Sequence, residues 1–176
     1  PPRLGAGGEL HFPGGEVGIG SRRDAGFVFD NEKWAHTVAR APFAIDAQPV
    51  RNAAFLAFVE DGGYERLEWW GEAGRQWLRE SGRRAPRHWR RGAQGWERRA
   101  FDAWIPLAPE EPVFHLSAFE AEAWCRRAGR RLPTEVEWEC AARTFGEAFS
   151  PWGHVWLWTA SPFEPYAAFA PDAYAD

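Results

Sequence analysis

The run Ala128-Gly129-Arg130-Arg131-Leu132-Pro133-Thr134-Glu135-Val136-Glu137-Trp138-Glu139-Cys140-Ala141-Ala142-Arg143 decides the reading of this chain. Gly129 supplies the left-handed residue on which a helix ends, and Pro133 bars its continuation because it has no N–H to offer the preceding turn. Thr134 and Glu137 then form the T-x-x-E capping box that opens the next helix. Upstream, Ser117 and Glu120 make a second capping box, so a helix through Phe119, Ala123, Trp124 and Ala128 leads into the corner. Further out, Ala54, Phe55, Phe58 and Val59 fall at helical spacing until Asp61-Gly62-Gly63 stops the run.

Around these helices the pattern changes to short strands. Leu10 to Gly20 alternates apolar and small residues about Pro13-Gly14-Gly15, which predicts a hairpin. His36 to Asp46 reads as a second strand region in which Pro42 favours an edge or a bulge. Tyr64 to Asp102 is rich in Trp, Arg and Gly without clean periodicity and reads as a long ordered loop pinned by indoles. Gly153-His154-Val155-Trp156-Leu157-Trp158-Thr159 reads as an apolar strand, followed by a Pro- and aromatic-rich coil. The expected fold class is α+β, with short strands, about three helices and long ordered loops. Residues 1–176 are the length of one domain.

Composition narrows the classes of function. A 45% apolar content is enough for a core, and twelve tryptophans suit both a loop-rich core and aromatic pocket walls. The formal charge of -4 argues against a general polyanion or anionic-membrane partner, and no apolar run is long enough to span a bilayer. Cys125 and Cys140 are the only cysteines, in predicted helices and without a C-x-x-C pattern; buried free thiols and a cytoplasmic location are expected. With no Met at all, the chain reads as a piece of a longer protein.

No catalytic motif is written locally. His11, His36, His88, His115 and His154 never pair at the spacing that presents two metal ligands from one element, so no metal site is expected in this chain. Arg79, Arg83, Arg84, Arg87, Arg90, Arg91, Arg98 and Arg99, interleaved with Trp89 and Trp96, resemble a single-strand-binding track. Against that stands the composition: Lys33 is the single lysine, so Arg is the general surface cation here, and no nucleic-acid partner is expected. A subset of these arginines is also suited to gripping a substrate carboxylate in bidentate fashion. Glu135 and Glu139 share a helical face beside a cap, where they stabilise the helix N-terminus.

The quoted run resembles the G-R-L-P-T-E-A-E-W-E-x-A-A-R signature of the formylglycine-generating-enzyme and sulfatase-modifying-factor fold, an irregular relative of the C-type lectin fold. Further segments look like ergothioneine-type sulfoxide synthases: Phe29-Asp30-Asn31-Glu32, Pro42-Phe43-Ala44-Ile45, Phe58-Val59-Glu60-Asp61-Gly62-Gly63-Tyr64 and Trp158-Thr159-Ala160-Ser161-Pro162-Phe163. Phe169-Ala170-Pro171-Asp172-Ala173-Tyr174 looks closest to the selenoneine-synthase branch. The resemblance implies an O2-dependent, non-haem iron(II) reaction that joins a sulfur or selenium donor to the imidazole of hercynine, the trimethylated betaine of histidine. It also implies that the iron sits on three histidines of a separate N-terminal DinB-type helical domain, so that this chain supplies only the lectin-like wall of the cleft. Tyr174 is then the candidate catalytic proton donor, and Trp156, Trp158, Phe163 and Tyr166 are the candidate substrate-binding residues, the indoles and Phe163 through cation-π attraction.

Departures from the pattern leave two other readings open. The usual G-N-V-W-E-W reads Gly153-His154-Val155-Trp156-Leu157-Trp158, the usual Thr after Pro49-Val50 is Arg51, and the later R-G-G-S-W and F-R-N segments are absent. These favour a non-catalytic binding or scaffold module of the same fold. A formylglycine-generating oxidase, the third reading, requires copper(I) on a late cysteine pair, whereas Cys125 and Cys140 lie in the two helices around the signature.

Overall fold

The computed structural model describes residues 3, 4, 8–146, 149, 155–167 and 169–173. In chain order the strands are β1 (Arg3–Leu4), β2 (Glu9–Phe12), β3 (Gly15–Ile19), β4 (His36–Arg40), β5 (Phe43–Asp46), β6 (Trp89–Gly92), β7 (Gly95–Ala100) and β8 (Ala103–Pro106). The α-helices are α1 (Asn52–Glu60), α2 (Glu72–Ser81), α3 (Ala118–Arg127) and α4 (Glu135–Phe145). The mixed α+β class is as expected, with four α-helices among the described residues rather than about three. Among the described residues no helix is long and apolar enough to cross a membrane. The chain divides into two compact units, one of residues 1–48, 133–152 and 159–176, the other of residues 49–132 and 153–158.

In the first unit the expected hairpin about Pro13-Gly14-Gly15 does not form. Instead β2 pairs with β5 and β3 with β4, both antiparallel, and β1 adds to the far edge of β2. The register runs on unbroken from one pair to the next, with Phe12 opposite Phe43 and Gly15 opposite Arg40, so Pro13 and Pro42 fall opposite each other. Neither proline has an N–H for the ladder, and the pairing is interrupted there. The inward face of β2 and β5 stacks Phe12 on Phe43 at 4.6 Å. With Leu10, Cys140, Ala141, Ala142 and Phe149 these rings form the core, closed by the inner face of α4. The small residues Ala141 and Ala142 let the helix approach the sheet closely.

The second unit packs Phe55, Phe58, Tyr64, Trp70, Leu78, Trp89 and Ala123 into one cluster. Phe55 and Phe58 are 1% and 0% exposed, and each such ring contributes about 1.5–3 kcal/mol of burial. Arg51 at the N-cap of α1 makes no side-chain cap hydrogen bond, as the loss of Thr implies. The orphan donors are met from the backbone: Asn52 N–H donates to Glu111 O and Ala53 N–H to Pro109 O, while the buried Asn52 amide donates to Ala108 O at 2.8 Å. At the other end Gly62 takes φ +76, and a Cβ on Gly63 would stand 2.5 Å from the Phe58 ring. The Gly-Gly pair is thus required first for the turn and then for the close approach.

Both capping boxes are formed, at Ser117/Glu120 and at Thr134/Glu137. Glu120 is 2% exposed, and it accepts from Ser117 N–H, Ser117 Oγ and Tyr64 Oη at 2.7, 2.8 and 2.5 Å. Burial, then the Glu120 charge, pushes the Tyr64 phenol far above its ordinary value, so it stays a donor. Gly129, at φ +67, ends α3: its N–H donates to Arg126 O and that of Arg130 to Cys125 O, a Schellman closure.

Two expectations are corrected here. Tyr64 to Asp102 is not a long loop, since it carries α2, the strands β6 and β7 and a 3-10 turn at Leu67–Trp69. The described residues 155–159 are irregular rather than a strand. Trp158 shows why: its indole N–H donates to Leu116 O at 2.9 Å, which fixes the segment by a side chain instead of a ladder.

Candidate functional site

The first unit carries an open cleft of about 630 Å³ lined by Phe27, Val28, Lys33, Trp34, Asp172 and Ala173. It is built from the F-D-N-E segment. β3 ends at Gly20, whose φ of +78 and whose crowding by Trp34 O and the Tyr166 ring, 3.1 and 3.2 Å from where a Cβ would be, admit only glycine. Ser21 N–H then donates to Glu32 O, and Ala35 N–H to Ser21 O, clamping both ends of the Asp30–Glu32 3-10 turn. Asp30 uses one carboxylate oxygen for Asn31 N–H and the other for Asp172 N–H at 3.1 Å. Asp172 in turn accepts from Lys33 Nζ at 2.5 Å.

This ion pair is half-buried, with side-chain exposures of 20% for Lys33 and 32% for Asp172. The Trp34 ring attracts cations: the Arg23 guanidinium lies 4.7 Å from its centroid and the Lys33 ammonium 5.2 Å. Beside it Phe27 is 76% exposed and pairs edge-on with Phe29 at 5.1 Å. An open apolar wall, an indole that holds positive charge and an amine–carboxylate pair together suit a small zwitterion. Its cation would meet the ring and its carboxylate the amine.

Tyr166 lies behind Gly20, edge-on to the His36 ring at 4.6 Å. Burial first, and then the carboxylates of Glu32, Glu139 and Glu135, push its phenol up to about 12, so it remains protonated at neutral pH. Glu139 is itself raised, mainly by burial, against the opposing pull of Arg143. Arg143 pairs with Glu139 and also donates to Gly18 O and Gly20 O, at 2.9 and 3.2 Å. The last arginine of the signature therefore holds the turn that positions Tyr166. The signature also meets the W-T-x-S-P-F segment: Ala160 N–H donates to Pro133 O at 2.8 Å, and Ser161 Oγ accepts from Glu135 N–H at 3.0 Å. Ser161 thus adds a second acceptor at the N-terminus of α4, beside Thr134.

Of the residues picked out from the sequence, Tyr166 sits where a protonated phenol is held in place. Phe163 is fully exposed in the same unit, while Trp156 and Trp158 belong to the second unit, the former fully exposed and the latter half so. Tyr174 lies outside the described residues; its sequence neighbour Ala173 lines the cleft. Lys33, Trp34, Phe27 and Asp172 were not singled out. The available signal was the position of the single lysine, next to F-D-N-E and beside an indole. The two cysteines, Cys125 and Cys140, are both buried. Among the described residues no three of His, Cys, Asp and Glu converge in a way that could hold a metal ion.

Comparison with known proteins agrees with the motifs. The pattern of the sulfatase-modifying factor enzyme 1-like domain matches residues 2–159. The hercynine oxygenase of Mycolicibacterium thermoresistibile is 35% identical, over 86% of this chain and 43% of its own length. That of Mycobacterium tuberculosis is 35% identical over 82% of this chain and 44% of its own. The formylglycine-generating enzyme of Streptomyces coelicolor is 36% identical over 77% of this chain and 47% of its own. The chain spans less than half the length of each of these relatives.

Proposed function

We propose a function from one premise: the chain belongs to the sulfatase-modifying factor enzyme 1-like domain family. Within that family it is the substrate-binding part of an enzyme of hercynine, in which a sulfur or selenium donor is joined to the imidazole carbon with O2 as oxidant. The observation that carries this reading is the 35% identity to a hercynine oxygenase across 86% of the chain. The iron(II) of such a reaction is proposed to sit on a separate N-terminal helical domain as partner; among the described residues no three of His, Cys, Asp and Glu are grouped to hold it. A cytoplasmic location and the absence of nucleic-acid and membrane partners belong to the same proposal.

In this reading the Lys33–Trp34–Asp172 cleft takes the betaine. The trimethylammonium lies against Trp34 and Phe27, and the carboxylate competes with Asp172 for Lys33. Tyr174, next in sequence to Ala173, is the proposed proton donor, with Tyr166 as a fixed, protonated wall residue. Trp156, Trp158 and Phe163, all exposed, remain proposed aromatic contacts.

Calorimetric titration of the protein with hercynine tests this. Saturable binding that Trp34→Ala weakens about 2- to 30-fold, the range of a cation-π contact of about 0.5–2 kcal/mol, is expected. Absence of binding, including after mixing with the iron-holding domain, refutes it. The similarity to a formylglycine-generating enzyme supports a second reading, an oxidase with thiol-bound copper(I). Copper(I) affinity that is unchanged in Cys125→Ser and Cys140→Ser variants eliminates that one.

A further inference from the structure

The cleft lined by Lys33, Trp34 and Asp172 already holds charges of both signs, and the chain itself supplies them. The Arg23 guanidinium lies over the Trp34 ring at 4.7 Å. Its neighbours set it there. Arg22 and Asp24 close on each other through two hydrogen bonds of 2.9 Å, and Ala25 N–H donates to Arg22 O, so residues 22–25 form a turn. The bridge between Ser21 and Lys33 brings that turn beside Trp34: Ser21 N–H donates to Glu32 O, and Ser21 O accepts from Ala35 N–H. Among the described residues Arg23 meets the indole and no carboxylate.

The negative charge is tied at two separate points. Asp172 N–H donates to Asp30 Oδ2 at 3.1 Å, and the Asp172 carboxylate accepts from Lys33 Nζ at 2.5 Å. The first bond does not use the carboxylate, so the carboxylate can leave the amine while the backbone stays anchored. A second carboxylate arriving at Lys33 meets the first at close range, and two carboxylates on one ammonium repel each other. The arrival of an external carboxylate is therefore an exchange, not an addition. A quaternary ammonium has no N–H to give Asp172. The surface that suits it is the indole, and Arg23 already lies there.

We propose that Arg23 and Asp172 are built-in competitors that occupy the cation and carboxylate subsites of this cleft, so that a zwitterion binds by displacing both. The inference rests on the betaine reading of the cleft and adds its selectivity and its regulation. A ligand with one charge replaces one internal contact and leaves the other in place. A zwitterion replaces both, and the displaced groups pass to water, since Arg23 is exposed and Asp172 partly so. The mutational signature is inverted from that of an ordinary binding residue. Removing either charged group tightens binding, because the apparent affinity is lowered by the fraction of molecules in which the internal contact fills the subsite.

The experiment is an NMR titration with hercynine, acetate and tetramethylammonium, each at constant ionic strength set by sodium chloride. Lys33 is the single lysine, so its ε-methylene signal needs no assignment, and the Trp34 indole signal is the one lost in Trp34→Phe. Asp172→Asn, which keeps the backbone N–H to Asp30, should tighten acetate and hercynine about 2- to 5-fold and not tetramethylammonium. Arg23→Ala should tighten tetramethylammonium and hercynine by a similar factor, about 2- to 5-fold, and leave acetate unmoved. A gain for tetramethylammonium mirrored by an equal loss for acetate marks a general field effect and overturns the occupancy of the ring. If hercynine does not bind while the two simple ions keep the crossed pattern, the betaine reading fails and the internal competition stands. If hercynine binds the parent and either substitution leaves it unchanged or weaker, the competition is overturned and the betaine reading stands. Signals that respond to none of the three ligands overturn both.

Discussion

Replacing Tyr64 by Phe removes a single oxygen from the second unit's core and leaves the ring, which is 5% exposed and packed 5.9 Å from Phe58 and 5.5 Å from Trp70, with all its neighbours. What is lost is the phenol donor to Glu120, a carboxylate that is itself 2% exposed. A hydrogen bond to a charged group contributes about 1.5–3 kcal/mol. Because Glu120 keeps its bonds to Ser117, the remaining carboxylate oxygen is the one stranded, which places the cost at about 2–3 kcal/mol. For a chain of this size that corresponds to a fall of roughly 4–12 °C in Tm. Urea unfolding followed by tryptophan fluorescence measures it. A double-mutant cycle with Glu120→Gln isolates the charge-dependent part of the pair, since the amide oxygen can still accept from the phenol but carries no charge. A Tyr64→Phe loss below about 0.5 kcal/mol, within the scatter of ordinary surface substitutions, refutes the assignment of Glu120 as a carboxylate dependent on that phenol.

Three further outcomes are expected. Ser161→Ala should cost about 1 kcal/mol by stranding the Glu135 N–H, with the helix otherwise intact by circular dichroism; a neutral effect would show that Thr134 suffices to cap α4. Gly63→Ala should destabilise by about 1–3 kcal/mol or more, because the new methyl meets both the ring and the carbonyl oxygen of Phe58; a stability equal to the parent's would refute the tight-approach argument. Glu139 is raised in the folded state, mainly by burial, so the folded chain holds that proton more firmly than the unfolded one. Its contribution is most favourable below the ordinary glutamate value of about 4.3 and declines as pH rises through its raised value. Glu139→Gln should therefore lose less stability than the parent between that range and neutrality, and parallel stability profiles would contradict it.

The helices around Gly129 and Pro133 could be read from the sequence because their signals are local: each capping box spans four residues and is satisfied within them. The same holds for α1, whose apolar spacing and Gly-Gly stop lie in one window. The strands β6 and β7 could not be, since Trp89 and Trp96 are set among arginines that occupy both sheet faces, and these arginines are accommodated by Glu60, Glu97 and Glu111 and by indoles rather than by an alternating pattern. The failed hairpin at Pro13 has a similar cause. Its turn chemistry was real, but the partner that interrupts the ladder, Pro42, lies far along the chain. At the cleft, Asp30 and Asp172 are brought together across more than a hundred residues by one backbone N–H, a contact no local pattern encodes.

Lys33 has one more consequence, for chemistry carried out on the protein rather than by it. It carries the only ε-amine in the sequence, and that amine is 20% exposed and hydrogen-bonded to Asp172. Amine-directed acylation therefore falls on a single side chain inside the cleft. Its rate becomes a one-site gauge once the α-amine of the chain terminus is accounted for: slowed by anything that fills the space beside Trp34, quickened when Asp172 is replaced by Asn, and readable by peptide mass as one added group on Lys33.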